Sequence, residues 1–381
     1  MNCKDLGKEV HMRRAIYLAK KAWGETHCNP MVGSVIIDKY NKIVSEGYHK
    51  RSGYPHAEIL ALERSKASKI DPSELTLFVT LEPCSSHGRT GACTNAIINS
   101  GIKKVVIGSL DPNPLHSGAG VEILRTAGIQ VTCGILELEC RDLNFIYNHW
   151  ILYNRPLCAI KLAMTIDGCM AAYSGNSKWI TNSEARQDVM LWRRLFPAIA
   201  VTQNTLLSDN PRLTSRIENS SDVRVSCSRR FILNRTLKDL ETYSNYAVFN
   251  DEFREKTTVV YGEKVDPGRL NIFENMGISG WEISENANGL SIKDYLLRLR
   301  DSNINGVYIE PGARLATQLI KDGLVDYLFC YQAPKLMLDN KAASLGFNRM
   351  SESMEESFTL FDLRRINFGE DSLIRGFLKN N

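Results

Sequence analysis

Apolar and polar positions along the chain fall into short segments of two alternating kinds. "MVGSVIID" (31–38), "IVSEGYH" (43–49), "LTLFVTLEP" (75–83) and "KKVVIGSLDPNP" (103–114) are brief apolar runs, rich in β-branched residues and bounded by turn formers, and they predict strands. Between them lie helix-period stretches. One recurs through Val10, Ala15, Leu18, Ala19 and Ala22, a second starts at about His56, and a third, "CTNAIINSG", closes on Gly101. "GAGVEILRTAGIQVTCG" (118–134) reads as helix, glycine stop and strand. Strands that alternate with helices predict an α/β sandwich.

A helical, aromatic stretch then ends at Asn154-Arg155-Pro156, and a new strand starts at Leu157. The rhythm resumes with the helix "SEARQDVMLWRRLF" (183–196) and the strands "AIAVTQNT" (198–205), "RRFILN" (229–234), "YAVFN" (246–250), "KTTVVYG" (256–262) and "GVYIEPG" (306–312). The helix "ARLATQLIKDG" and the strand "VDYLFCYQAPKLM" follow, and polar "SRIENSSDVRVSCSRR" (215–230) predicts a surface loop. With 381 residues the chain has material for two or three domains. The boundary falls near 147–156, which gives domains of 1–150 and 151–381.

Composition narrows the class only a little. The chain is 43% hydrophobic and 24% charged, as soluble globular proteins are. A net charge of +4 permits an anionic small molecule and singles out neither nucleic acid nor membrane. No run reaches the ~18 consecutive apolar residues that a membrane span requires, and the first residues lack the apolar core of a secretory leader. Ten scattered cysteines without a framework of short spacings predict a reducing cytoplasm, where such residues are metal ligands or buried thiols.

Two stretches carry candidate chemistry: "YPHAEIL" (54–60) and "LEPCSSHGRTGACTNAI" (81–97). Zinc takes nitrogen and thiolate ligands in a tetrahedron, and a catalytic site leaves one position to water. His56, Cys84 and Cys93 supply such a set. Glu58, two residues from His56 at a helix start, can reach the bound water without ligating. Cys84 follows Pro83 and is expected at a helix start, where unpaired N–H groups favour the thiolate. A lone His-X-Glu or a lone cysteine pair usually means nothing. The ordered set H-A-E, then P-C, then a later Cys is the signature of zinc deaminases, in which zinc activates water and the Glu transfers protons. A structural zinc site would use four protein ligands and would have no use for Glu58.

The eight residues between Cys84 and Cys93, together with "LEPC", "HCNPMVGSVIID", "EGYHKRSGYPHAEILAL" and "DPNP" (111–114), resemble the deaminase half of the bifunctional riboflavin-biosynthesis enzymes. That family carries two histidines where Ser86-His87 stands and two prolines where Gly91-Ala92 stands. The resemblance covers nearly the whole chain. It implies a cytidine-deaminase-like α/β/α sandwich followed by a dihydrofolate-reductase-like α/β domain. The implied substrate is 2,5-diamino-6-ribosylamino-4(3H)-pyrimidinone 5′-phosphate. Asn29 would then hold the pyrimidine, with His49 and Ser86 to Arg89 as further candidates.

The second half is less explicit by itself. "YIEPGARLATQLIKDG" is a strand, a glycine turn and a helix that can present N–H groups to a phosphate, and more often it is only a tight turn. "KLAMTIDGCMAAYSGNSKWIT", "TLLSDNPRLTSR" and "GARLATQLI" resemble the family's NADPH-dependent reductase domain. The resemblance places cofactor contacts on Ala163, Trp179, Thr205, Asp209 and the run Gly312, Ala313, Arg314, Leu315, Ala316, Thr317 and Gln318. It places substrate contacts on Ser177, Arg193, Leu213, Arg216 and Glu310. Here the family reads closer to "EAGPTLA" where this chain has Pro311 and Arg314. Lys161 and Asp209 are the candidate polar catalytic residues, to polarise the ribose carbonyl or iminium and to supply a proton. The partners expected are a pyrimidine ribotide and copies of the chain itself, with no nucleic acid and no membrane. Two rival readings are a nucleic-acid-editing deaminase with an RNA-binding second half and a non-catalytic zinc protein. The first wants a short cysteine spacing and a basic surface, and the second has no reason to keep Glu58.

Overall fold

The computed structural model describes residues 3–85, 91–219, 222–238, 245–346 and 352–379. The chain divides into two compact units, 1–154 and 155–381. The first unit runs α1 (Cys3–Lys20), β1 (Gly33–Ile37), β2 (Ile43–Tyr48), α2 (Ala57–Ser65), β3 (Thr76–Leu81), α3 (Cys93–Ser100), β4 (Lys104–Ser109), α4 (Ala119–Thr126), β5 (Gln130–Cys133), α5 (Glu137–Leu143) and α6 (Phe145–Tyr153). Its sheet has the order β2-β1-β3-β4-β5. Here β1 is antiparallel to both β2 and β3, while β3, β4 and β5 run parallel. β1 is buried at all five positions, and β3 and β4 at five of six, which is why they read as continuous apolar runs.

Two cores flank this sheet. Ile36, Leu77, Val79, Val105 and Ile107 pack with Ala61, Leu62, Ile97 and Leu124 of α2, α3 and α4 on one side. Val35, Ile37, Phe78 and Val106 pack with Met12, Ala15, Ile16 and Leu18 of α1 on the other. The alternation of neighbours along β1, β3 and β4 follows from the two-residue period of a strand. Val10 departs from the expected helix stripe and is 64% exposed. Met12 and Ile16 take the buried face with Ala15, because a 3.6-residue period puts 12, 15, 16 and 19 together.

Gly47 of β2 fixes the seat of α2. A Cβ there would lie 2.3 Å from the Ala57 carbonyl oxygen and 2.9 Å from the Ala61 nitrogen. Only glycine permits the helix to approach so closely. α2 turns Ala57, Glu58, Ala61, Leu62 and Ser65 inward, so a carboxylate lies on the buried face of its first turn.

The second unit runs β6 (Leu157–Thr165), β7 (Cys169–Ala171), α7 (Ser183–Leu195), β8 (Ala198–Thr202), α8 (Gln203–Asp209), β9 (Ser215–Asn219), β10 (Asp222–Ser226), β11 (Arg229–Leu233) and α9 (Ala247–Asn250). It continues with β12 (Thr257–Gly262), α10 (Pro267–Asn275), β13 (Ser279–Ile283), β14 (Glu285–Asn286), β15 (Gly289–Leu290), α11 (Ile292–Asp301), β16 (Gly306–Ile309), α12 (Ala313–Lys321), β17 (Tyr327–Ala333), β18 (Ala343–Ser344), β19 (Thr359–Phe368) and β20 (Asp371–Lys379). Nine strands form its main sheet in the order β13-β12-β11-β8-β16-β6-β17-β20-β19. The sheet is parallel from β13 through β17 and antiparallel at β20 and β19.

Three expectations are corrected here. "YAVFN" is the one-turn helix α9, not a strand, and its adjacent Val248 and Phe249 are both buried. Neighbours on one strand would face opposite ways. The stretch read as a surface loop contains the antiparallel pair β9–β10, whose polar sequence has no apolar alternation to announce it. "AIAVTQNT" stops being strand at Thr202, where the Thr202 side chain accepts from the Thr205 N–H and starts α8.

Candidate active sites

In the first unit the metal-type residues come from three places. His56 is the N-cap of α2, Cys84 follows the end of β3, and Cys93 is the first residue of α3. His56 Nδ1 lies 3.1 Å from Cys93 Sγ and 3.7 Å from Cys84 Sγ. All three ligand atoms lie within 4.8 Å of one another, and among the described residues no other His, Cys, Asp or Glu group of three or more converges in this way. Zinc bonds of ~2.0 Å to nitrogen and ~2.3 Å to sulfur at tetrahedral angles set N and S ligands roughly 3.5 Å apart. The donor set therefore fits zinc, with three protein ligands and one position left over.

Cys84 does not start a helix as expected. It lies in the connection before α3, and the N–H of Cys93 at the start of that helix donates to Cys84 Sγ at 3.3 Å. The helix terminus thus reaches the thiol from outside its own segment. The Cys93 side chain first, then His56 and the Cys93 N–H, hold Cys84 down at about 4 through hydrogen bonds, while the Cys93 thiol is pushed up by the Cys84 thiolate and by burial. His56 is raised by its hydrogen bond with Cys84.

Glu58 is 3% exposed. Burial raises its carboxyl above the usual carboxylate range, against the pull of His56. A carboxyl made a weaker acid in this way holds a proton more readily than an exposed one, which suits proton transfer. Asn29 Nδ2 lies 3.4 Å from His49 Nε2, and the His49 ring meets the His56 ring edge-on at 5.5 Å between centroids. Asn144 accepts from the Met31 N–H at 2.7 Å and donates to the Met31 carbonyl at 2.9 Å, which anchors the segment that carries Asn29. The candidates Ser86 to Arg89 lie outside the described residues.

In the second unit Lys161 lies in the middle of β6, and Glu310 directly follows β16, its neighbour in the sheet. Burial lowers the Lys161 ammonium, opposed by the charges of Glu310 and, more weakly, of Asp209. Arg193 of α7 grips Glu310 with a two-pronged pair, Nε to Oε1 at 2.7 Å and Nη2 to Oε2 at 2.9 Å. The fork of this expected substrate contact is thus committed to a carboxylate. Arg216 lies on β9 and is exposed.

Thr205 and Asp209 follow β8, and Gly312 follows β16, at the end of the parallel strands where open α/β sheets bind ligands. Asp209 closes α8, Thr205 lies in its first turn, and Ala163 is on β6 beside Tyr331 of β17. Trp179 is 64% exposed under the Arg186 guanidinium, 4.4 Å from the ring centroid. Lys335 Nζ donates to the Trp179 and Ile180 carbonyls, which fixes the segment that also holds Ser177. Leu213 is buried, with φ 54°. Gly312 is the N-cap of α12, without a side-chain cap and with open space around its Cβ position. Such a terminus fits a nucleotide phosphate. Beyond it the run divides: Arg314 is exposed, Leu315 packs on the core, Ala316 and Thr317 are buried, and the Gln318 amide donates to Asp322.

The fold and the two sites define a zinc-dependent hydrolytic deaminase unit followed by a nucleotide-dependent reductase unit. Residues 7–109 match the model for the cytidine and deoxycytidylate deaminase zinc-binding region, and residues 156–345 match the RibD C-terminal domain. Riboflavin biosynthesis protein RibD of Aquifex aeolicus is 39% identical over 96% of both chains, and that of Escherichia coli K12 is 35% identical over 86% of this chain and 88% of its own. Acinetobacter baumannii RibD superposes with a TM-score of 0.78 at 33% identity, over 99% of this chain and 100% of its own. The Thermotoga maritima diaminohydroxyphosphoribosylaminopyrimidine deaminase/5-amino-6-(5-phosphoribosylamino)uracil reductase does so with 0.78 at 31%, over the same shares. The chain belongs to the RibD family, the bifunctional deaminase–reductases of riboflavin biosynthesis, with a zinc-binding deaminase domain and an NADPH-dependent reductase domain. No helix among the described residues is long and apolar enough to cross a membrane.

Proposed function

We propose that residues 1–150 deaminate 2,5-diamino-6-ribosylamino-4(3H)-pyrimidinone 5′-phosphate and that residues 151–381 reduce the ribosyl group of the product to a ribityl chain. The observation that carries the first half is the convergence of His56 Nδ1, Cys84 Sγ and Cys93 Sγ beside the buried Glu58 carboxylate. His56, Cys84 and Cys93 would hold zinc, which supplies a Lewis acid that makes water nucleophilic at neutral pH. Glu58 takes a proton from the incoming water and returns one to the exocyclic nitrogen at C2 as ammonia departs. Asn29, steadied by His49, hydrogen-bonds the pyrimidine and orients C2 toward Glu58. The buried face of α2 keeps bulk water from the Glu58 carboxyl, so its proton goes to the substrate.

In the second half NADPH supplies a hydride for C1′ of the opened ribose. Thr205, Trp179, Ala163 and the α12 terminus at Gly312 would hold it, with exposed Arg314 beside the phosphates. Lys161 and Asp209 flank the reacting carbon, hold the carbonyl or iminium polarised and deliver the proton that balances the hydride. Arg216 offers its free fork to the ribotide phosphate. Arg193 acts through Glu310, whose carboxylate it orients toward Lys161. The protein works as a homo-oligomer in the cytoplasm, on a small-molecule substrate.

Incubation of the zinc-loaded protein with the diaminopyrimidine ribotide, analysed by mass, tests the scheme. Without NADPH the product should be the uracil ribotide plus ammonia, and with NADPH its ribityl derivative. Glu58→Gln should keep zinc and lose about 10²–10⁴-fold in deamination. Near-normal ammonia release by that variant would refute the role given to Glu58.

A further inference from the structure

We infer that Glu82 is a positioning residue of the deaminase unit: its buried carboxylate pins the segment from Asp111 to Val121 against the corner of the chain that carries Cys84. This inference rests on the deaminase reading above. Glu82 is 5% exposed, and it is neither one of the three converging ligands nor part of the proton path. Its Oε2 accepts from the N–H groups of Asp111 and Gly118, each at 3.0 Å. Its Oε1 accepts from those of Gly120 at 2.9 Å and Val121 at 3.2 Å. The Glu82 N–H donates to the Ser109 carbonyl at 2.9 Å, where β4 ends.

One carboxylate thus ties both ends of a loop. Gly118 is the N-cap of α4 and has no side-chain cap of its own. The first-turn N–H groups that a helix leaves unpaired, together with its dipole, are satisfied by Glu82 from the end of another strand. Gly120 completes the seat, because a Cβ there would lie 2.4 Å from the Pro83 carbonyl oxygen. Residues 82 and 83 therefore both touch the segment, and the next residue is Cys84. Burial, and after it the charge of Glu82, raises the Asp111 carboxyl. The segment from Asp111 to Val121 is thus tied to the two residues that precede Cys84. Glu82 holds that segment to the corner that carries Cys84, so its loss should loosen substrate binding before it disturbs zinc or Glu58.

Glu82→Gln keeps the shape but turns an NH2 group toward N–H donors. In the full-length, zinc-loaded protein this variant should raise the deaminase KM for the ribotide roughly 10- to 100-fold, since hydrogen bonds to a charged acceptor are being lost. Its kcat, zinc content and NADPH-dependent reduction of supplied uracil ribotide should stay within about threefold of the parent. Hydrogen–deuterium exchange should quicken at residues 111–121 and not across α1 or α2. Gly120→Ala attacks the same contact from the other side, with Glu82 intact, and should reproduce the KM effect and the local exchange. Unchanged KM and exchange in both variants would overturn the proposal, as would zinc loss or exchange spread over the whole unit. If the parent protein releases no ammonia, the deaminase reading fails, while the exchange pattern still decides whether Glu82 holds the segment.

Discussion

Single side chains carry the chemistry because each has been placed where its usual behaviour changes. Glu58 is an ordinary carboxyl made a weaker acid by the buried face of α2. Cys84 is an ordinary thiol made a stronger acid by the hydrogen bond from Cys93. The three-donor set leads to a direct expectation: the purified protein should contain about one zinc per chain, and Cys84→Ser should lose most of it. Metal analysis of both proteins checks this, and an unchanged zinc content in Cys84→Ser would sink the ligand assignment. Arg193 shows how placement redirects a residue type. Two-pronged donors suit phosphate and carboxylate alike, and here Glu310, 117 positions away in the chain, has taken the fork.

At the scale of elements, the deaminase site depends on how closely α2 approaches β2. The 2.3 Å that separates a would-be Gly47 Cβ from the Ala57 carbonyl leaves no room for even a methyl group. Gly47→Ala should therefore displace the first turn of α2, with His56 and Glu58 on it. We expect a stability loss of about 1–3 kcal/mol from overpacking, with deamination reduced and reduction retained, as thermal melts and paired assays would report. Most elements were legible from period and punctuation: β1, β3 and β4 as apolar runs, and α3 from its Gly101 stop, where φ is 85°. Short or polar elements were not. α9 is a single turn, and β9–β10 stands apart from the main sheet, so neither repeats a buried pattern long enough to be recognised.

At the scale of the whole molecule, the candidate residues of each reaction belong to a different compact unit. The activities should separate by mutation. Glu58→Gln should still reduce supplied uracil ribotide, whereas Asp209→Asn or Lys161→Met should accumulate it. Mixing the two kinds of variant should restore the complete conversion, followed by mass. If Asp209→Asn also stops ammonia release while folded and zinc-loaded, the halves do not act independently. A mixture that stays inactive, although each half-reaction runs alone, would mean that the intermediate passes within one chain.

The order H-A-E, P-C and Cys, the alternation of strand and helix, and the turn at Gly312 are local properties of the chain. Hydrophobic period and backbone sterics act over a few residues, so the sequence by itself determined them. Which distant groups meet is a matter of packing. His56 reaches Cys93 across 37 positions, and Glu82 gathers N–H groups 29 to 39 positions further on. Neither the text around Glu82 nor that around Val121 announces that pairing. A carboxylate and an uncapped helix start are each common, and only the tertiary structure brought this one to that one.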